Sequence, residues 1–338
     1  MADNKIGARS FRPERPAFIQ HWASVAGKKE KEGPLGHLFD IASTDTKFGA
    51  NTWEQAEKRM QQLALNTLLQ KSNHKPENID LVFSGDLLNQ CIGSSFSLRN
   101  TGLAHLGLYG ACSTMAESLL LASMTVGGGY ANRVIAMTSS HFASSERQYR
   151  FPLGYGGQRP PTAQWTVTGS GAVLVTGEAG PIQITGATIG TVTDLGITDA
   201  NNMGAAMAPA AHNTIRTHLE DFHCSPEDFD LIVTGDLGTL GKEALIQLFL
   251  RDGVSIGGKL VDCGNLIFEE TAQDVHCGGS GCGCSAVVLC SELLGKLEKG
   301  KLKKILFCGT GALLSPTSTQ QNLPIPGICH GVCIESRR

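Results

Sequence analysis

Two kinds of apolar run alternate along this chain. Short continuous blocks such as Leu81-Val-Phe83, Val134-Ile-Ala-Met137, Ala172-Val-Leu-Val175, Leu231-Ile-Val233 and Ile305-Leu-Phe307 have the length and make-up of strands buried on both faces. Between them lie stretches with helical spacing. Trp53, Ala56, Met60, Leu63 and Leu68 mark one amphipathic helix, with Asn51 or Thr52 placed to cap it, and a second runs from about Met203 to Phe222. Strands of this kind alternating with helices predict an α/β protein with sheets covered on both faces.

The pattern repeats. Ile79-Asp-Leu-Val-Phe-Ser-Gly-Asp-Leu87 and Phe229-Asp-Leu-Ile-Val-Thr-Gly-Asp-Leu237 share an acidic residue, three apolar residues, a small hydroxyl residue and Gly-Asp-Leu. Each copy follows one of the amphipathic helices. After each comes a glycine-rich, cysteine-containing turn opening an apolar helix, at Gly110-Ala-Cys112-Ser-Thr and at Gly279-Ser-Gly-Cys282-Gly-Cys284. Then follow a basic residue and another strand, at Arg133 and Lys304. The chain reads as a duplication, residues 1–180 and 181–338, with no low-complexity linker between the halves. One segment, about 138–169, breaks the symmetry; its arginines, tyrosines, glycines and prolines predict a loop.

Composition narrows the classes. Over 338 residues, 41% are hydrophobic and only 17% charged, which excludes extensive disorder. A net charge of −3 gives no sign of nucleic-acid binding. No apolar run is long enough to span a bilayer, and the start lacks a signal-type apolar stretch. The eleven cysteines, irregularly spaced and odd in number, read as reduced thiols, so an intracellular protein is expected.

Cys112 is the sharpest chemical candidate. It opens a helix, where free N–H groups and the helix dipole favour a thiolate; the other reading is a buried, inert cysteine. Asp86 and Asp236 fall at equivalent strand ends, where open α/β sheets place ligands. Asp236 reads as a turn residue bonding local N–H groups, and Asp86 is kept as a site candidate. His141 follows a strand and can donate to a carboxylate. His276, Cys277, Cys282 and Cys284 lack metal-ligand spacing, and Gly278-Gly-Ser-Gly281 lacks the ending of a phosphate loop. No metal, nucleotide or other cofactor is expected.

A duplicated chain with a cysteine opening the first half's third helix resembles the thiolase superfamily, ketoacyl synthases included. The resemblance implies a thiolase-like duplicated five-layer α/β/α/β/α fold with mixed, mainly parallel sheets, often dimeric, and acyl transfer through Cys112. This sequence departs from the family where it supplies its other catalytic side chains. Thr234-Gly-Asp-Leu237 stands in place of His-Gln-Ala-Asn, and Gly279-Ser280 in place of Gly-Asn or Gly-His.

A closer resemblance covers essentially the whole chain. Lys31-Glu-Gly-Pro-Leu-Gly-His-Leu-Phe-Asp40, Gly85-Asp-Leu-Leu-Asn-Gln90, Gly110-Ala-Cys-Ser-Thr114, Ser139-Ser-His141, Glu146-Arg-Gln148, Thr168-Gly-Ser-Gly-Ala172, Ala206-Met-Ala-Pro-Ala-Ala211 and Gly309-Thr-Gly-Ala-Leu-Leu-Ser-Pro316 resemble a family of sporulation proteins of spore-forming bacteria. That resemblance implies a non-catalytic binder of dipicolinic acid (pyridine-2,6-dicarboxylate), with or without calcium. It also implies membrane-embedded stage V A proteins as partners, and a peripheral place at the spore inner membrane. For such a flat dianion, Arg147, Arg150 and Arg159 offer guanidinium forks from one loop, and Tyr149 or Tyr155 a cover for the ring; paired surface arginines are the alternative.

Overall fold

The computed structural model describes residues 4–149 and 158–338. The first half contributes strands β1 (Ala17–Ala26), β2 (Leu81–Gly85), β3 (His105–Leu108), β4 (Arg133–Ser140) and β5 (Gly169–Thr176). The second contributes β6 (Ile182–Thr188), β7 (Leu231–Thr234), β8 (Leu260–Asp262), β9 (Lys304–Ala312) and β10 (Gly327–Ser336). With three short strands they join one sheet, in the order β8-β7-β9-β10-β6-β1-β5-β4-β2-β3. The order reads alike from either end, the central seam being the antiparallel pair β1–β6. Parallel pairing holds at the two flanks, β2 with β3 and β4, β7 with β8 and β9. The strands between are antiparallel.

Helices complete five layers. In the first half α1 (Trp53–Ser72) and α2 (Ile92–Leu98) cover one outer face, and α3 (Thr114–Gly127) lies inside; α4 (Phe142–Tyr149) follows β4. In the second half α5 (Met203–Phe222) and α6 (Gly238–Arg251) cover the other outer face. Inside beside α3 runs α7 (Cys282–Val288), which continues through a π turn at Leu289–Leu293 into α8 (Leu294–Glu298). α3 packs on strands of both halves, and so does the α7–α8 run. Their buried faces, among them Met115, Leu119, Val287, Leu293 and Leu297, form the central core.

Much of the sequence reading survives. Thr52 caps α1, its hydroxyl accepting from the Gln55 N–H, and the second long helix runs from Met203 to Phe222. The segment expected to be a loop is corrected in part. Phe142–Tyr149 is helical, because its first turn, Ala143 to Glu146, is buried all round and no glycine or proline intervenes before Pro152. The turn-forming residues further along had coloured the whole stretch.

Glycine sets how near the central helices can come. A Cβ on Gly171 of β5 would meet the Ala286 carbonyl oxygen of α7 at 2.6 Å. One on Gly309 of β9 would meet Ala116 Cβ of α3 at the same distance. Gly171→Ala is therefore expected to destabilise by about 1–3 kcal/mol. Gly295→Ala, at a helical site with nothing within 4 Å, is expected to be neutral or to stabilise by up to about 1 kcal/mol. Urea unfolding of both variants checks the contrast.

Candidate functional site

The carboxyl ends of β2, β4, β7 and β9 converge with the starts of α3 and α7 around a cavity of about 290 Å³. Cys112 sits in the single tight turn Ala111–Ser113 that leads into α3 and faces this cavity. Around it are Leu87, Tyr109, Glu146, Tyr149, Thr166, Met203, Ser280 and the segment Ala312–Pro316. One wall belongs to α4 and another to the second half, so the site exists only because the halves share the central layer.

The group beside the thiol is Asp236. Its Oδ2 accepts from the Gly281 N–H at 2.9 Å and from Ser280 Oγ at 3.1 Å. Its Oδ1 accepts from Thr310 Oγ1 at 2.8 Å. Ser280 Oγ in turn lies 4.0 Å from Cys112 Sγ. A second buried acid, Asp262, holds the loop behind: it accepts from the N–H groups of Leu237, Gly238 and Gly264 and from Thr234 Oγ1. Burial pushes the Asp236 carboxyl up to about 6, against the hydrogen bonds that favour its ionised form.

The thiol responds to the same surroundings. Burial first, and then the negative charge of Asp236, push Cys112 well above the ordinary thiol range. No histidine lines the cavity among the described residues. Burial and the neighbouring carboxylate therefore act against the thiolate that nucleophilic catalysis needs.

The structure distributes the sequence candidates unevenly. Cys112 lines the cavity. Asp86 does not: its oxygens accept from the Leu88 N–H and from the N–H and hydroxyl of Ser94, the local-turn role that had been expected of Asp236. The reading of Asp236 as a turn residue is thus corrected, because its carboxylate reaches across to α7 and β9 rather than along its own chain. Arg147 pairs with Glu54 on α1, away from the cavity. Arg159 Nη1 lies 3.8 Å from Glu146 Oε1, with its guanidinium over the Trp165 ring. His141 Nε2 is within hydrogen-bond distance of the Thr46 carbonyl and lines a different cavity. Arg150 and Tyr155 lie outside the described residues. Sequence reasoning missed Glu146 and Thr310. Glu146 is buried at the cavity wall and accepts from Thr166 Oγ1 at 2.7 Å.

The raised Asp236 carboxyl has a consequence for stability. Between pH about 4 and about 6 the folded state holds a proton that the unfolded state has lost, so this group's contribution falls as pH rises and is level above that. The span corresponds to about 3 kcal/mol. Asp236→Asn is expected to flatten the pH dependence of unfolding by roughly that much, measured by urea titration at pH 4 and pH 7.

Comparison with known proteins places this geometry. The family model for stage V sporulation protein AD (SpoVAD) matches residues 7–335. Stage V sporulation protein AD of Bacillus subtilis (strain 168) is 47% identical over 329 residues, 97% of each chain. Among solved structures, human mitochondrial 3-ketoacyl-CoA thiolase in complex with CoA superposes with a TM-score of 0.60 at 12% identity, covering 97% of this chain and 99% of that one. The 3-oxoacyl-[acyl-carrier-protein] synthase III of Aquifex aeolicus VF5 superposes with a TM-score of 0.56 at 15% identity, covering 94% and 99%. These distant structures share the fold, and the two sequence matches, each spanning nearly the whole chain, decide the rest: the chain belongs to the stage V sporulation protein AD family.

Proposed function

We propose that the cavity beside Cys112 binds dipicolinic acid, and that this protein is the non-catalytic binding subunit of the membrane machinery that takes dipicolinate into the developing spore. The observation that carries the reading is the carboxylate and hydroxyl that stand beside the cavity's cysteine. The cavity of an acyl-transfer fold is present, yet Asp236 and Ser280 stand beside Cys112, and burial raises the pKa of its thiol. A site that keeps its space and disfavours its thiolate is suited to binding. Its volume is at the small end for ligand pockets. Leu87, Met203, Leu313 and Leu314 offer apolar contact to a flat ring, and Thr166, Ser280, Asn89 and Tyr109 offer polar contacts to carboxylates.

The Glu146 carboxylate at the wall favours a dianion that arrives with its calcium, since the cation removes the repulsion. No helix among the described residues is long and apolar enough to cross a membrane, so we assign the protein a peripheral place at the spore inner membrane, held by membrane-embedded stage V A proteins. Homodimerisation is part of the proposal. Strand β3 ends the sheet, and the exposed side chains Leu106, Ile92 and Phe96 lie on or near it. The second reading is acyl transfer through Cys112, favoured by its place at the start of α3 in a fold shared with thiolase and 3-oxoacyl synthase.

Titration calorimetry with dipicolinate, with and without calcium, tests the proposal. Saturable binding is expected, abolished in the cavity-filling variant Cys112→Phe and unchanged in Arg147→Ala. Glu146→Gln is expected to remove the calcium dependence. Absence of heat up to millimolar ligand in both conditions would overturn the reading, and a mass increase on Cys112 after incubation with acetyl-CoA would establish the second.

A further inference from the structure

A second cavity, of about 380 Å³, lies on the other side of α4. Phe142 and Ala143 face it, whereas Ser145, Glu146 and Tyr149 face the first cavity. The two-residue strand Trp165–Thr166 divides them likewise, with Trp165 on this side and Thr166 on the other. The remaining wall comes from the start of α1 and the segment after β1.

Three features of this cavity belong together. Its walls are aromatic: Trp53, His141, Phe142 and Trp165, the last two stacked with ring centroids 4.1 Å apart. Its floor is a carboxyl group. Glu30 is 1% exposed; Oε1 accepts from the Thr168 N–H at 2.9 Å, and Oε2 has no hydrogen-bond partner. Gly27 packs closely against that atom: a Cβ there would come within 2.8 Å of Oε2 and 2.9 Å of the Thr168 side chain. Lysines line it too, with Lys28 exposed and the Lys29 ammonium over the Trp165 ring at 4.1 Å.

A buried, half-satisfied carboxyl is unfavourable unless a donor completes it. A lone cation would complete it but would meet the repulsion of the lysines. A lone anion would suit the lysines and be repelled by the floor. A small molecule carrying both charges on one carbon, with an apolar remainder for the aromatic walls, answers all three features. We propose that this cavity binds a zwitterion of the amino-acid class with an apolar or aromatic side chain, its ammonium group on Glu30 Oε2 and its carboxylate on Lys28. The assignment is independent of the function proposed for the first cavity.

Burial pushes the Glu30 carboxyl up to about 7, so the ionised form that an ammonium group requires is gained as pH rises through neutrality. The other titratable groups facing it are Lys28 and Lys29 from its own segment and His141 from the end of β4. Burial lowers the His141 pKa from its ordinary value, so a positive charge on that ring is disfavoured.

Tryptophan fluorescence supplies the test, since Trp53 and Trp165 line the cavity while Trp22 lies in the core. The probes are L-phenylalanine and two relatives carrying one charge each, phenethylamine and 3-phenylpropionate. Phenylalanine is expected to give a saturable change. Glu30→Gln is expected to weaken phenylalanine and phenethylamine by about tenfold or more and to spare 3-phenylpropionate. Lys28→Met should weaken phenylalanine and 3-phenylpropionate and spare phenethylamine. In the unsubstituted protein, phenethylamine should bind more tightly at pH 8 than at pH 6, which keeps the test decisive if Glu30→Gln fails to fold. No saturable change with phenylalanine up to about 10 mM, or binding indifferent to both pH and the Glu30 substitution, would overturn the proposal.

Discussion

Two central helices have to serve both halves of the sheet at once, and most of the molecule follows from that. α3 and the α7–α8 run each lie against strands from both repeats, so most of their surface is apolar and buried. Helices flanked on both sides must be apolar all round and must come close to the strands. Both demands appear in the sequence as small residues at matched places: Gly171 against Ala286 in one direction, Gly309 against Ala116 in the other. The same approach brings the starts of α3 and α7 together. Cys112 and Ser280 are 168 positions apart, yet their side chains face each other because each stands in the turn just before one of these two helices. The candidate site is thus a by-product of how the duplicated sheet fills its own interior.

Few charges in the chain mean that those taken inside must be held individually. Asp86, Asp236 and Asp262 each accept at least one backbone N–H and one hydroxyl. Such bonds satisfy the lone pairs, but they do not cancel the desolvation of the charge, so all three carboxyls stand above their ordinary range. Glu57 shows the structural use of this. Buried in α1, it accepts from Ser139 of β4 and Ser144 of α4, and so ties the start of α4 to the sheet. Through that tie the helix presents Glu146 and Tyr149 to one cavity and Phe142 to the other.

How far the sequence could be read depended on whether a signal was local. The repeat at Ile79–Leu87 and Phe229–Leu237 located two equivalent strands, because a buried parallel strand is recognisable by its own residues. Helix α1 and its Thr52 cap were equally visible. The two aspartates of the repeat were not separable. Both follow the same tetrapeptide pattern, and only the tertiary partner distinguishes them: Ser94 on the nearby α2 for Asp86, Gly281 and Thr310 from elements 45 and 74 positions away for Asp236. Arginines were misleading for a related reason. Arg147 and Arg159 stand close in sequence, but each meets a carboxylate on a different helix, Glu54 of α1 and Glu146 of α4.

Position at the start of a helix does not decide the state of Cys112; magnitudes do. The helix dipole contributes about 0.3–1 kcal/mol, up to about 2 in favourable buried geometry, which lowers a thiol by less than about one and a half pKa units. Full burial raises an ionisable group by up to about 3–5 units, and a nearby carboxylate adds to that. The two opposing effects are therefore unequal, and desolvation wins unless a cationic partner is supplied. An imidazole beside the sulfur would be such a partner, because it can take the proton and hold the resulting charge. Asp236 cannot hold that charge: its carboxylate is itself buried, already occupied by Gly281 and Thr310, and of the same sign as the thiolate it would have to stabilise. Of the two effects at Cys112, burial beside a carboxylate is the larger, and it opposes the thiolate.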